Sequence, residues 1–94
     1  MLGGYVKLNL STKELINALV ELEGECVHIK IIHLLYGSQK IRYNLNLINK
    51  EDKLGFETEE QDIYIKKDKI IKCGKKGNKY YFADDVMTIE VIKF

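Results

Sequence analysis

Between Glu25 and Cys73 short apolar-rich runs are separated at close intervals by turn residues, and that rhythm restricts the chain more than any other feature. Cys26–Tyr36 is followed by Gly37-Ser38-Gln39, Ile41–Ile48 by Asn49–Asp52, and Leu54–Glu57 by Thr58-Glu59-Glu60. Ile63–Ile65 is then followed by Lys66-Lys67-Asp68, ahead of Ile70–Cys73. β-Branched and aromatic residues bounded by Gly, Asn, Asp and Ser favour extended backbone, because their side chains pack well on a pleated surface. Connections this short leave no length for a crossover, so successive strands run antiparallel. In the first run, alternation sets Val27, Ile29, Ile31, His33 and Leu35 on one face and Cys26, His28, Lys30, Ile32, Leu34 and Tyr36 on the other. Apolar residues on both faces toward its end require a strand covered on both sides or bent across a small barrel. Gly55, inside Leu54-Gly55-Phe56, marks a bulge or a corner where the sheet curls.

Ahead of this run, Tyr5–Leu10 alternates apolar and polar residues as a half-buried strand does. Ser11-Thr12-Lys13-Glu14 then has the capping-box spacing: a hydroxyl at the N-cap and a carboxylate three residues on can each accept from the other's backbone N–H. The pattern predicts a helix over 12–23, with Gly24 just beyond its end. Leu15, Ile16, Leu19, Val20 and Leu22 form its apolar face. After the central run, Gly74–Asn78 is a turn, and Tyr80–Phe82 and Met87–Ile92 read as two further strands. The expected architecture is one α+β domain: a strand over 5–10, one N-terminal amphipathic helix over 12–23, barrel-like strands over 25–73 and a C-terminal hairpin over 79–93. The sheet is mainly antiparallel and curled, with about six to seven strands. The expected core draws on Leu15, Leu19, Val20, Leu22, Val27, Ile29, Ile31, Leu45, Leu47, Phe56, Ile63, Ile65, Ile71, Ile89 and Val91.

A chain of 94 residues supports one modest core. Its formal charge of +1 supplies no whole-molecule field to recruit nucleic acid or an anionic membrane, so such a role must come from a local patch. No apolar run approaches the roughly 20 residues that span a bilayer. Met1–Tyr5 lacks the charged and apolar regions of a secretory signal, so the expected location is cytoplasmic, without a membrane partner. There the two cysteines, Cys26 and Cys73, are expected as thiols, and a disulfide would require the strands carrying them to be neighbours. Arg42 is the only arginine among 15 basic residues, while Pro and Trp are absent. That bias fits a gene of a low-GC bacterium or phage, and it weakens lysine content as a sign of nucleic-acid binding.

One helix followed by five short antiparallel strands, with a tight polar corner before the last, resembles the Sm-like small-barrel architecture, which SH3-like barrels share. In one register the corner is Lys67-Asp68-Lys69 and the strands end at Cys73; in another the corner is Asp84-Asp85-Val86-Met87 and Tyr80–Ala83 and Thr88–Ile92 are the last strands. The resemblance implies a curled barrel and, as in Sm-like rings, RNA contacts by polar and basic loop residues. The basic pair followed by Gly or a polar residue, expected at that corner, is missing from both registers.

Few constellations point to catalysis. Cys26 and His28 share a strand face and could supply two zinc ligands, but no matching pair exists elsewhere. Gly74–Lys79 lacks the spacing and the Ser/Thr of a phosphate loop, and Glu57, Glu59, Glu60 and Asp62 lack calcium-loop spacing. The chain is therefore expected to be non-enzymatic and to need no cofactor. Two binding functions stay open. One is a protein-interaction module with an unidentified protein partner: a small regulator or inhibitor of the sort that phages and mobile elements encode. The other is a nucleic-acid-binding barrel using Lys66, Lys67, Lys69, Lys72, Lys75, Lys76 and Lys79, bordered by Tyr64, Tyr80, Tyr81 and Phe82. The run to Phe94 is strand-like to the last residue, with Ile92 and Phe94 opposite Ile89 and Val91. As an edge strand it would pair with a second copy and bury Ile92 and Phe94 in a homodimer; the alternative is pairing with Tyr5–Leu10 within one chain.

Overall fold

Ser11 is where the described chain changes from strand to helix. A computed structural model describes residues 7–93, so the first two positions of the strand expected over 5–10, and Phe94, lie outside the described residues. Strand β1 covers Lys7–Asn9, and helix α1 covers Thr12–Glu21. The capping box is formed in both directions: Ser11 Oγ accepts the Glu14 N–H at 3.1 Å, and Glu14 Oε1 accepts the Ser11 N–H at 3.0 Å. The helix ends two residues earlier than its spacing predicts, because the Leu22 and Glu23 N–H groups bond to Leu19 O and Val20 O in a tightened last turn. Gly24, at φ +85°, then turns the chain, a conformation that costs glycine little.

The rest is β-structure and one short turn: β2 (Cys26–His33), β3 (Gly37–Asn44), β4 (Leu47–Asn49), β5 (Lys53–Glu57), β6 (Asp62–Lys66), a 3-10 turn at Lys67–Lys69, β7 (Lys72–Lys76), β8 (Lys79–Ala83) and β9 (Met87–Lys93). Every pairing is antiparallel, and the fold is α+β. The strands form a six-stranded sheet of order β1-β7-β8-β9-β2-β3 and a three-stranded sheet of order β4-β5-β6. The two meet where β3 runs on into β4. At this corner the Leu45 N–H bonds to Glu25 O, beside β2, while the very next residue, Asn46, accepts from the Glu57 N–H at the end of β5. One bent segment thus belongs to both sheets, and the curl does not close into a barrel.

Between helix and sheets lies one core. Leu15, Leu19 and Leu22 meet Val27, Ile29, Phe82, Ile89 and Val91 from the large sheet, Leu54, Phe56 and Ile65 from the small one, and Leu45 from the corner between them. Ile31, Leu47 and Ile63 are half-buried against it. Two expected core residues are exposed. Val20, about 140° around the helix from Leu15 at 3.6 residues per turn, is 48 % exposed. Ile71 is 69 % exposed, because the chain leaves the 3-10 turn with Ile70 packed inward instead. Leu54 and Phe82 take core positions that periodicity did not single out.

Three other expectations change. The first long strand ends at His33, and Leu34–Tyr36 are a turn. Gly55 is not a bulge, since β5 and β6 pair without interruption from Lys53–Lys66 to Glu57–Asp62. A Cβ there would collide with Ile63 O and lie 2.5 Å from Tyr64 Cα, so glycine permits a close approach of two backbones. Finally, β9 is not an edge: it pairs with β8 on one side and β2 on the other, so its backbone cannot recruit a second copy. Both candidate corners exist, one as the 3-10 turn and the other as the β8–β9 turn, where Asp84 Oδ1 accepts the Val86 and Met87 N–H groups.

Candidate functional site

Strand geometry divides the lysine segment. Lys66 ends β6, and Lys67 and Lys69 sit in the 3-10 turn, where Lys67 Nζ donates to Asn49 Oδ1 at 2.8 Å. Along β7 the side chains alternate, sending Lys72 and Lys76 to one face and Lys75 to the other, 5.4 Å from the centroid of the Tyr80 ring. Lys79 lies opposite Lys76 and shares its face, 3.2 Å from Glu90. The bordering aromatics form no stacking platform: Phe82 and Tyr81 are buried and Tyr80 packs on the core. Tyr64 is exposed on the small sheet, where Lys53 Nζ covers its ring at 4.5 Å.

The cross-strand register assembles a different cationic set. Directly opposed residues share a face, so one row across the large sheet reads Lys76, Lys79, Ile92, His28, Arg42, and the next reads Tyr81, Glu90, Lys30, Lys40. Among the described side chains, Lys72 brings to six the cations on the face turned away from the core, and Glu90 is the one carboxylate of the strands there. They form two banks, Lys72, Lys76 and Lys79 on β7–β8 and Lys30, Lys40 and Arg42 on β2–β3. Sequence reasoning missed the second bank. Its signal was present in the alternation of β2 and β3, but only the pairing shows that Lys30 and Lys40 stand opposite each other.

Exposed apolar residues gather at one end of this sheet. Gly37, at φ +81°, lets the chain re-enter pairing at His33–Gly37, closing a three-residue loop of Leu34, Leu35 and Tyr36. These are 75 %, 76 % and 84 % exposed. The loop is ordered by short bonds: the Leu35 N–H donates to His33 Nδ1 at 3.1 Å, the Tyr36 ring lies 4.5 Å from the His33 ring, and the Leu34 N–H donates to Val86 O at 2.8 Å. Val86, on the neighbouring β8–β9 turn, is itself exposed and extends the apolar tip.

Beside the tip runs the outer edge of β3. The Leu45 N–H to Glu25 O bond sets the hydrogen-bonding phase, making Val27–Tyr43, Ile29–Ile41 and Ile31–Gln39 the bonded pairs. Even-numbered residues of β3, Ser38, Lys40 and Asn44 among them, therefore aim their backbone groups away from β2. On this same edge β5 pairs as far as Asn46 and then turns away at Thr58. A groove follows the edge, lined by Gln39, Ile41, Arg42 and Tyr43 on β3 and by Thr58, Glu59, Glu60, Gln61 and Ile63 across from it.

The remaining candidates stay apart. Cys26 and Cys73 are both free thiols, on opposite faces of strands β2 and β7, which are about 14 Å apart at ordinary strand spacing. That separation excludes a disulfide. Arg42 Nε lies 3.4 Å from Cys26 Sγ, whereas Cys73 donates to Leu10 O, and burial pushes its thiol up. Among the described residues no three His, Cys, Asp or Glu side chains come together as a metal site, and no helix is long and apolar enough to cross a membrane. Ile92 is half-buried in the middle of the large sheet, opposite Lys79 and His28. Compared with protein-family models, curated proteins and solved structures, the chain matches none.

Proposed function

We propose that this protein is a non-enzymatic protein-interaction module, a small regulator or inhibitor that engages its partner through the end of the β2–β3 hairpin. The observation that carries this reading is the exposure of Leu34, Leu35 and Tyr36 on an ordered turn, with Val86 beside them. Burying apolar surface is worth about 25 cal/mol per Å², so a contiguous apolar tip on a small domain is a strong driving force for association. The bent, open sheet with its 3-10 corner is in keeping with an Sm-like or SH3-like relationship, in which loops and edges rather than a deep pocket make the contacts. The test is a pull-down from nuclease-treated extract with the wild type beside a Leu34→Ser, Leu35→Ser, Tyr36→Ser variant of matched melting temperature. The expected result is a stoichiometric protein partner that only the wild type retains. Equal recovery by both would refute the reading.

A second reading, nucleic-acid binding, is favoured by the six cations on the sheet face turned away from the core. It predicts oligonucleotide binding that weakens steeply with salt and is lost on Lys30→Glu combined with Lys76→Glu. Salt-independent binding, or none, would eliminate it.

A further inference from the structure

We propose that the outer edge of β3 takes an extended segment of the partner as an added strand, and that this segment alternates acidic and apolar residues. The proposal rests on the interaction-module reading and names the partner's chemistry.

β3 is the last strand of the six-stranded sheet and runs for 8 residues without proline or bulge. Its even-numbered backbone groups point outward, on the edge that β5 occupies as far as Asn46 and then leaves. A guest strand would occupy that line from Asn44 back to Ser38, continuing a ladder the fold has already begun. Main-chain bonds of this kind hold a strand without regard to its sequence, so the side chains on its two faces decide which strand is accepted.

The two faces differ. On the groove side a guest side chain meets Ile41, Tyr43 and Ile63, and the nearby Glu59 and Glu60 repel an acidic residue there. On the opposite face it stands beside Lys40, with Lys30 in register behind it and Arg42 next along the strand. A period of two in the guest then satisfies both faces at once: apolar toward the groove, acidic toward the cations. The same cations disfavour a second copy as guest, since pairing β3 with β3 sets Lys40 and Arg42 of one copy against those of the other. Charges on an edge strand guard against self-pairing, and here they also select an acidic strand.

The experiment uses the whole protein and a blocked peptide as long as β3, 8 residues, alternating Glu and Val. Controls are the same residues in two blocks and an alternating Lys/Val peptide. Binding is followed by NMR titration and amide exchange. The alternating Glu/Val peptide is expected to bind best and to protect the Ser38, Lys40 and Asn44 amides. Lys40→Pro removes one outward N–H while leaving the bonds to β2 intact, and is expected to weaken binding about tenfold. Lys40→Glu keeps the edge and is expected to shift preference toward the Lys/Val peptide, which guards against a folding defect in the proline variant. The serine variant of the tip is expected to retain the peptide, so loss of the cellular partner there with peptide binding intact separates the two proposals. Equal binding of the block peptide, protection elsewhere, or indifference to both Lys40 variants would overturn strand addition. A dimer by light scattering that Lys40→Pro dissociates would overturn it in favour of a second copy.

Discussion

Replacing Gly55 by alanine tests whether the small sheet depends on an approach between β5 and β6 that no side chain allows. An added Cβ would strike Ile63 O and lie 2.5 Å from Tyr64 Cα and 2.7 Å from Tyr64 Cβ. To restore contact at 3.4 Å with Ile63 O, β6 must retreat by about 1.5 Å, and its nearest atoms belong to backbone that cannot swing aside. Overpacking of this kind costs about 1–3 kcal/mol. Two weakened ladder bonds between β5 and β6 add about 1 kcal/mol each. The sum, about 3–5 kcal/mol, is a large share of the stability of a small domain. With a urea dependence near 1 kcal/mol per molar, the unfolding midpoint is expected to fall by about 3–5 M. Gly24→Ala is the internal control, because Gly24 has φ +85° but a methyl group added there would meet nothing within 4 Å. Its cost is the left-handed backbone alone, about 1–2 kcal/mol. Urea unfolding by circular dichroism measures both, and a Gly55→Ala loss no larger than that of Gly24→Ala would refute the close-approach argument.

Leu19→Ala is expected to cost about 2–5 kcal/mol in the same assay, whereas Ile71→Ser, at a site 69 % exposed, is expected to stay within about 0.5 kcal/mol of wild type. The Ser11 backbone N–H, and then its hydroxyl, hold the Glu14 carboxyl below its ordinary value. A depressed folded-state value gives stability that is present above the unfolded value and lost as pH falls through the folded one. The difference between wild type and Glu14→Ala is therefore expected at neutral pH and to shrink in acid; a difference constant with pH would contradict the capping box as its source.

Much of the fold was legible because it depends on local rules. The capping box at Ser11 and Glu14 is satisfied within four residues, so its geometry follows wherever the helix packs. The turn at Gly77 and Asn78 likewise needs only a glycine with positive φ between two extended runs. Where apolar residues sat on both faces of one run, periodicity could not say where the strand ended. Leu34 and Leu35 therefore read as strand, although Gly37 and the bond from the Leu34 N–H to Val86 O make them a turn. The functional surfaces were less legible still. The lysines of 66–79 are close in sequence but diverge because a 3-10 turn and strand alternation aim them in different directions.

The sequence by itself determined the element types, the antiparallel connections and most of the buried positions, because alternation, capping and turn chemistry act over a few residues. Only the tertiary structure decided that β9 lies between β8 and β2, that Lys30, Lys40 and Arg42 join Lys72, Lys76 and Lys79 on one face, and that β3 is left as an edge. Strand order is a choice among pairings that satisfy the same backbone groups. The helix and both sheets have to bury Leu15, Ile29, Phe56 and Phe82 together, and that shared core selects the order.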